Sequence, residues 1–204
     1  VIGLELHNLT KKFNRNILFK NLSCQFEYNS TTAICGNNGS GKSTLLQIIA
    51  GYKKQTEGQI YYRFSDNNTE PYSHVTLAAP YLDLYDEFTM REMVEFYFKF
   101  KKPLIFDREE IMQIGKFQST QYDRLIKHFS SGMKQRLKLL LAFSSDTPLL
   151  LLDEPVSNLD ETSILWFDQM IKDYTTNRMV IICTNNHPAE LSISNSQLNL
   201  SDFK

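Results

Sequence analysis

The stretch Gly36-Asn37-Asn38-Gly39-Ser40-Gly41-Lys42-Ser43-Thr44 constrains this chain more than any other segment. It fills the pattern G-x-x-x-x-G-K-[ST] between an apolar run, Ala33-Ile34-Cys35, and a helical pattern through Leu45, Leu46, Ile48, Ile49 and Ala50. A strand, a glycine-rich loop and a helix start, in that order, build a cradle for phosphate. Glycines let the backbone wrap an anion with its N–H groups, and the helix dipole adds partial positive charge. Lys42 can reach β- and γ-phosphates there, and the Ser43 hydroxyl can ligate Mg²⁺.

The rest of the pattern fits an α/β chain. Val1 to Leu9, Leu22 to Phe26 and Thr31 to Cys35 read as strands, and Gly51 as the left-handed cap that ends the cradle helix. Gln59 to Phe64 is a further extended run, Ser65 to Asn68 a turn, and Val75 to Ala79 a short buried strand. From Asp86 to Phe129 the character turns helical, with Met90, Met93, Val94 and Tyr97 on one stripe and Ile111, Met112 and Ile114 on a second. A helix then follows Gly132, Leu149 to Leu152 is a fully buried strand, and Ile164, Phe167, Ile171 and Tyr174 share a helical face. Met179 to Cys183 and Gln197 to Leu200 complete the strands. The order predicts an α/β nucleotide-binding core carrying a helical subdomain. A length of 204 residues is enough for one such domain with a sizeable core and a small inserted subdomain.

Two further motifs join the cradle. The apolar run Leu149-Leu150-Leu151-Leu152 delivers Asp153 and Glu154 at the carboxyl end of a strand, where α/β sheets bind ligands. Asp153 suits Mg²⁺ and Glu154 suits a water to be polarised. Phe129-Ser130-Ser131-Gly132-Met133 opens an amphipathic helix and gives it a serine cap and free backbone donors. One nucleotide cannot easily use two distant helix starts on one chain. Two subunits set head to tail can, each giving this turn to the γ-phosphate in the other's cradle.

With phosphate loop, serine-glycine turn and acidic strand in this order, the chain resembles an ATP-binding cassette (ABC) ATPase, the nucleotide-binding subunit of ABC transporters. The likeness covers nearly the whole length, 1–204. It implies a P-loop NTPase core of mixed sheet (1–85 and 130–204), an N-terminal antiparallel β subdomain and an inserted α-helical subdomain (86–129). It also implies ATP and Mg²⁺ as cofactors, with Gly36, Asn37, Asn38, Gly39, Ser40, Gly41, Lys42, Ser43 and Thr44 around the nucleotide. Ser43 and Asp153 are then metal ligands, Glu154 and Lys42 catalytic, and Ser130 and Gly132 contacts in trans. Pro155 with Ser157-Asn158-Leu159-Asp160 resembles the family loop that crosses to the opposite subunit. Phe13 matches the aromatic that stacks on adenine; packing within its own hairpin is the other reading. The implied partners are a second cassette, identical or paired, and an integral membrane permease. Exposed aromatics in the insert, Phe96 and Phe100 beside Tyr97, Phe98 and Phe106, suit a groove for that permease; packing within the subdomain suits them equally.

Three departures bear on hydrolysis. Phe129, Ser131 and Met133 replace residues of the usual Leu-Ser-Gly-Gly-Gln turn. Pro80 stands where the family carries a glutamine, and a proline offers no side-chain amide. Asn185 stands at the switch histidine, able to hydrogen-bond a γ-phosphate but not to become cationic; His187 lies nearby beside Pro188. The expectation is a slow ATPase. The alternatives are a degenerate subunit that binds ATP beside an active partner, and a soluble ABC ATPase acting outside transport.

Bulk properties agree with a peripheral, cytosolic subunit on the inner face of a membrane. A net charge of −1 gives no general attraction to nucleic acid, so no nucleic-acid partner is expected. No apolar run approaches the about 18 residues of a membrane span, and nothing at Val1 resembles a signal peptide. Three widely spaced cysteines, Cys24, Cys35 and Cys183, read as reduced structural thiols. The short tail after the Gln197 to Leu200 strand gives the expectation of a cassette without a substrate-sensing appendage.

Overall fold

A computed structural model of the chain describes residues 3–64, 71–105 and 107–204. The turn expected at Ser65 to Asn68 and the side chain of Phe106 lie outside them. Strand β1 (Gly3–Phe13) and β2 (Asn16–Glu27) form a long hairpin, with β3 (Ser30–Cys35) next in the chain. Helix α1 (Lys42–Ile49) leads to β4 (Glu57–Arg63), α2 (Pro71–His74) and β5 (Val75–Ala78). The insert carries α3 (Met90–Tyr97), α4 (Arg108–Ile114) and α5 (Ser119–Tyr122). Then follow α6 (Ser131–Phe143), β6 (Leu149–Asp153), α7 (Glu161–Tyr174), β7 (Met179–Thr184), α8 (Pro188–Ser192) and β8 (Ser196–Asn199).

The two strand directions of the expected mixed architecture separate into two sheets. One is antiparallel in the order β2-β1-β4, and the other parallel in the order β5-β6-β7-β3-β8. The hairpin runs on to Phe13 and Asn16, past the strand ends that hydrophobicity marks, because Asn14 takes the left-handed backbone its turn needs (φ 53°). Lys11, Lys12 and Lys20 near the tip hide that extension from any apolar count.

Strands buried on both faces divide the core in two. Leu150, Leu152, Val180 and Ile182 pack with α6, α7 and the insert, from Met90, Met93 and Val94 to Ile111 and Met112. Leu149, Leu151, Met179, Ile181 and Cys183 pack on α1 and the antiparallel sheet through Leu4, Leu6 and Leu22. The insert therefore shares its core with the helices behind the parallel sheet. Arg178 pins that layer from below: only 5% exposed, it donates to the carbonyls of Phe143 (3.0 Å), Thr147 (2.9 Å) and Tyr174 (3.2 Å). The cation thus meets the carboxyl ends of α6 and α7, where carbonyls lack helical partners. Burial holds its pKa down to about 10. Among the described residues no helix is long and apolar enough to cross a membrane.

Candidate nucleotide site

Strand β3 lies between β7 and β8, so the chain order reverses there, and the carboxyl ends of β3, β6 and β7 open on one crevice. The loop after β3 is shaped by its glycines. Gly41 precedes α1 at φ 102°, and a Cβ there would lie 3.1 Å from Leu18 Cβ. Gly36 at φ 152° packs so closely on Ser40 that a Cβ would meet its hydroxyl at 2.7 Å. With no side chain capping α1, its first N–H groups are left for a ligand.

Lys42 is folded back into its own loop, donating to Gly36 O (2.6 Å), Asn37 O (3.3 Å) and Asn185 Oδ1 (2.7 Å). Asn185, just past β7, uses its other amide atom as well: Nδ2 donates to Glu154 Oε1 at 2.5 Å. One neutral side chain thus spans the cation and the carboxylate. Glu154 sits at φ 45°, a backbone region unusual for any residue with a Cβ, and its N–H donates to Cys183 O of the neighbouring strand (2.9 Å).

Asp153, at the end of β6, is 2% exposed. Burial raises its carboxyl above the ordinary range; the Ser43 hydroxyl opposes that, Glu154 adds to it, and Lys42 and the Tyr81 hydroxyl oppose it further. Its Oδ1 has no protein partner. An orphaned, buried carboxylate oxygen beside a hydroxyl is what a hard cation takes. Among the described residues no three His, Cys, Asp or Glu cluster as a metal site. Two protein ligands are nonetheless enough for a Mg²⁺ that draws the rest of its shell from phosphate and water.

A cleft of about 430 Å³ is lined by Phe13, Leu18, Asn38, Gly39, Gly41, Lys42, Ser43, Thr44 and Glu154. Phe13 is 45% exposed, so its ring is not spent on the hairpin, although Lys11 Nζ lies 4.6 Å from its centroid. Asn37 and Ser40 stay in the loop wall, Asn37 O accepting from Ser40 N at 3.0 Å. Ser130 and Gly132 do not line this cleft. Ser130 caps α6, its Oγ accepting from Met133 N at 3.2 Å, and Ser130 and Ser131 are exposed. Gly132 lies so near the loop after Glu154 that a Cβ would be 2.8 Å from Asn158 O. His187 caps α8 through Nδ1, which accepts from Ala189 N at 3.3 Å.

Sequence reading passed over Leu18, Tyr81 and Glu190. Leu18 falls on the charged tip of the hairpin, with no periodic signal. Tyr81 follows Pro80, and burial raises its phenol pKa, with the Asp153 charge adding to the effect. An aromatic hydroxyl next to the residue aligned with the glutamine was the signal available for it.

Residues 19–157 match the family model described as ABC transporter. The Fe(3+) ions import ATP-binding protein FbpC of Fusobacterium nucleatum is 30% identical over 166 residues, 78% of this chain and 44% of that protein. YybJ of Bacillus subtilis, an ABC transporter ATP-binding protein, is 30% identical over 195 residues, 92% of this chain and 87% of its own length. In fold, the chain is similar to a dimeric ATP-binding cassette solved in a post-hydrolysis state with ADP and Pi, at a TM-score of 0.80 and 20% identity, covering 96% of this chain and 93% of that one.

Proposed function

Because the chain belongs to the ABC transporter family, we propose that it is the ATP-binding and ATP-hydrolysing subunit of an ABC transporter, pairing around Mg-ATP to drive a separate membrane permease. The observation that carries this is the convergence of Lys42, Asp153, Glu154 and Asn185 at the ends of three adjacent parallel strands. The triphosphate enters along the free N–H groups of α1 and takes the Lys42 ammonium from Asn185. Ser43 and Asp153 would hold Mg²⁺, which supplies charge neutralisation to the phosphates. Glu154 polarises the attacking water, and Asn185 keeps its carboxylate oriented. Phe13 stacks on adenine, its exposed ring supporting that over hairpin packing.

The γ-phosphate is closed over from a second subunit by Ser130 and Gly132, identical or paired, and its loss resets the pair. Lacking a glutamine at Pro80 and an ionisable switch at Asn185, the enzyme turns over slowly. The permease docks where Leu82, Leu84, Met93 and Tyr97 line a groove flanked by Tyr85, Phe96 and Phe100. Phe100, 73% exposed, is the outermost ring of that cluster. On this reading the subunit works as a peripheral protein at the cytoplasmic face of a membrane.

The test is steady-state phosphate release by purified protein beside a Glu154→Gln control. Turnover above the control, dependent on Mg²⁺, is expected. Binding of Mg-ATP with no turnover above the control would establish the degenerate reading instead.

A further inference from the structure

Glu190 is a buried acid, 2% exposed, for which the proposed chemistry has no use. It sits on α8, five residues past Asn185. Its Oε1 accepts from the Val156 N–H at 3.1 Å. The carbonyl of the same peptide unit, that of Pro155, accepts from Gln135 Nε2 at 2.9 Å, and Gln135 is buried too. Gln135 lies on the helix that Ser130 caps. A single peptide unit is therefore gripped on its N–H by the segment bearing Asn185 and on its C=O by the helix bearing the serine-glycine turn. Its own chain leaves directly from Glu154.

We propose that Gln135 and Glu190 are positioning residues that make the Pro155–Val156 peptide a joint, locking the loop after Glu154 to both neighbours so that the three move together when subunits pair. The proposal rests on the reading of the chain as a pairing cassette. A peptide unit is planar and stiff, so holding both of its polar ends fixes its orientation and the direction in which Ser157 to Asp160 leave. That loop passes Gly132 at Asn158 O, in the region offered to a second subunit. Neither positioning side chain touches the nucleotide cleft. The joint accordingly controls pairing and leaves nucleotide binding alone.

The experiment compares variants in a Glu154→Gln parent. Sedimentation velocity reads Mg-ATP-driven pairing, and a fluorescent ATP analogue at low protein concentration reads binding to the monomer. Glu190→Asp withdraws the acceptor from the Val156 N–H and is expected to require about tenfold more protein for half-pairing, with nucleotide affinity within about twofold. Glu190→Gln keeps an oxygen acceptor and is expected to pair like the parent. Gln135→Asn, which withdraws the donor from Pro155 O, should give the same split and stands in if Glu190→Asp does not fold. The proposal is overturned if these shortened variants pair at the parent's concentration, if they lose nucleotide affinity in proportion, or if Glu190→Gln pairs as poorly as Glu190→Asp. A parent that stays monomeric with Mg-ATP refutes the pairing reading itself, and the joint with it.

Discussion

Asn185→Ala is expected to separate hydrolysis from binding at the proposed nucleotide site. The amide makes two hydrogen bonds, each to a charged partner, at 2.7 Å to Lys42 and 2.5 Å to Glu154. Lys42 keeps two loop carbonyls after the change, those of Gly36 and Asn37, so the cradle survives. Glu154 loses the Asn185 amide, the one side-chain donor to it among the described residues. A hydrogen bond to a charged group contributes about 1.5–3 kcal/mol, and the exposure of Asn185 favours the lower part of that range. Taking about 2 kcal/mol as lost from the transition state gives a fall of about thirtyfold in kcat. Binding of Mg-ATP should change by less than about threefold, since the phosphate replaces Asn185 on Lys42 in either protein. A companion, Asn185→His, restores a donor but adds a group that titrates near pH 6.5, so its rate should acquire a pH dependence between 6 and 8 that the parent lacks at this position. The assay is phosphate release against pH, with equilibrium nucleotide binding in parallel. An Asn185→Ala protein with unchanged kcat, or one that loses affinity tenfold at constant kcat, would refute the reasoning.

Other expectations follow from single contacts. Phe13→Ala should weaken Mg-ATP binding about tenfold through lost stacking while leaving inorganic triphosphate binding unchanged, as titration calorimetry would read. Gly132→Ala forces a Cβ to within 2.8 Å of Asn158 O, so it should abolish Mg-ATP-driven pairing in a Glu154→Gln background without altering the far-ultraviolet spectrum of the monomer. Asp153→Asn removes a carboxylate whose pKa burial raises: the wild type loses stability as pH rises through that raised pKa, and the amide does not. The variant should therefore melt above wild type at pH 7, with the gap closing in acid, and have no turnover. Arg178→Met leaves the carbonyls of Phe143, Thr147 and Tyr174 without their donor and should cost about 3 kcal/mol, or about 10 °C in Tm.

What was legible in the sequence was whatever has a short-range physical signature. The phosphate loop favours glycines at fixed offsets, because Gly36 and Gly41 take positive φ (152° and 102°) and pack tightly on Ser40 and Leu18. The runs Leu149 to Leu152 and Met179 to Cys183 had to be strands buried on both sides, and they are. Ser130 announced a helix start, and it caps α6. Illegible was whatever depends on meeting across the fold. Nothing near residue 190 marks it as a partner for Val156, since that contact joins residues 34 positions apart. Nothing in Asn185 alone reveals that it would face Lys42 with one atom and Glu154 with the other. The shared core of insert and helix layer was equally hidden, because Met90 and Leu152 belong to patterns that are each complete locally.

In the proposed pair, one chain grips the triphosphate while a second closes on its end with Ser130. A structure of the Glu154→Gln protein saturated with Mg-ATP tests it most directly. Two chains in opposed orientation are expected, the γ-phosphate between Lys42 of one and Ser130 and Gly132 of the other. Monomers with nucleotide in the cradle and Ser130 remote from any phosphate would contradict it.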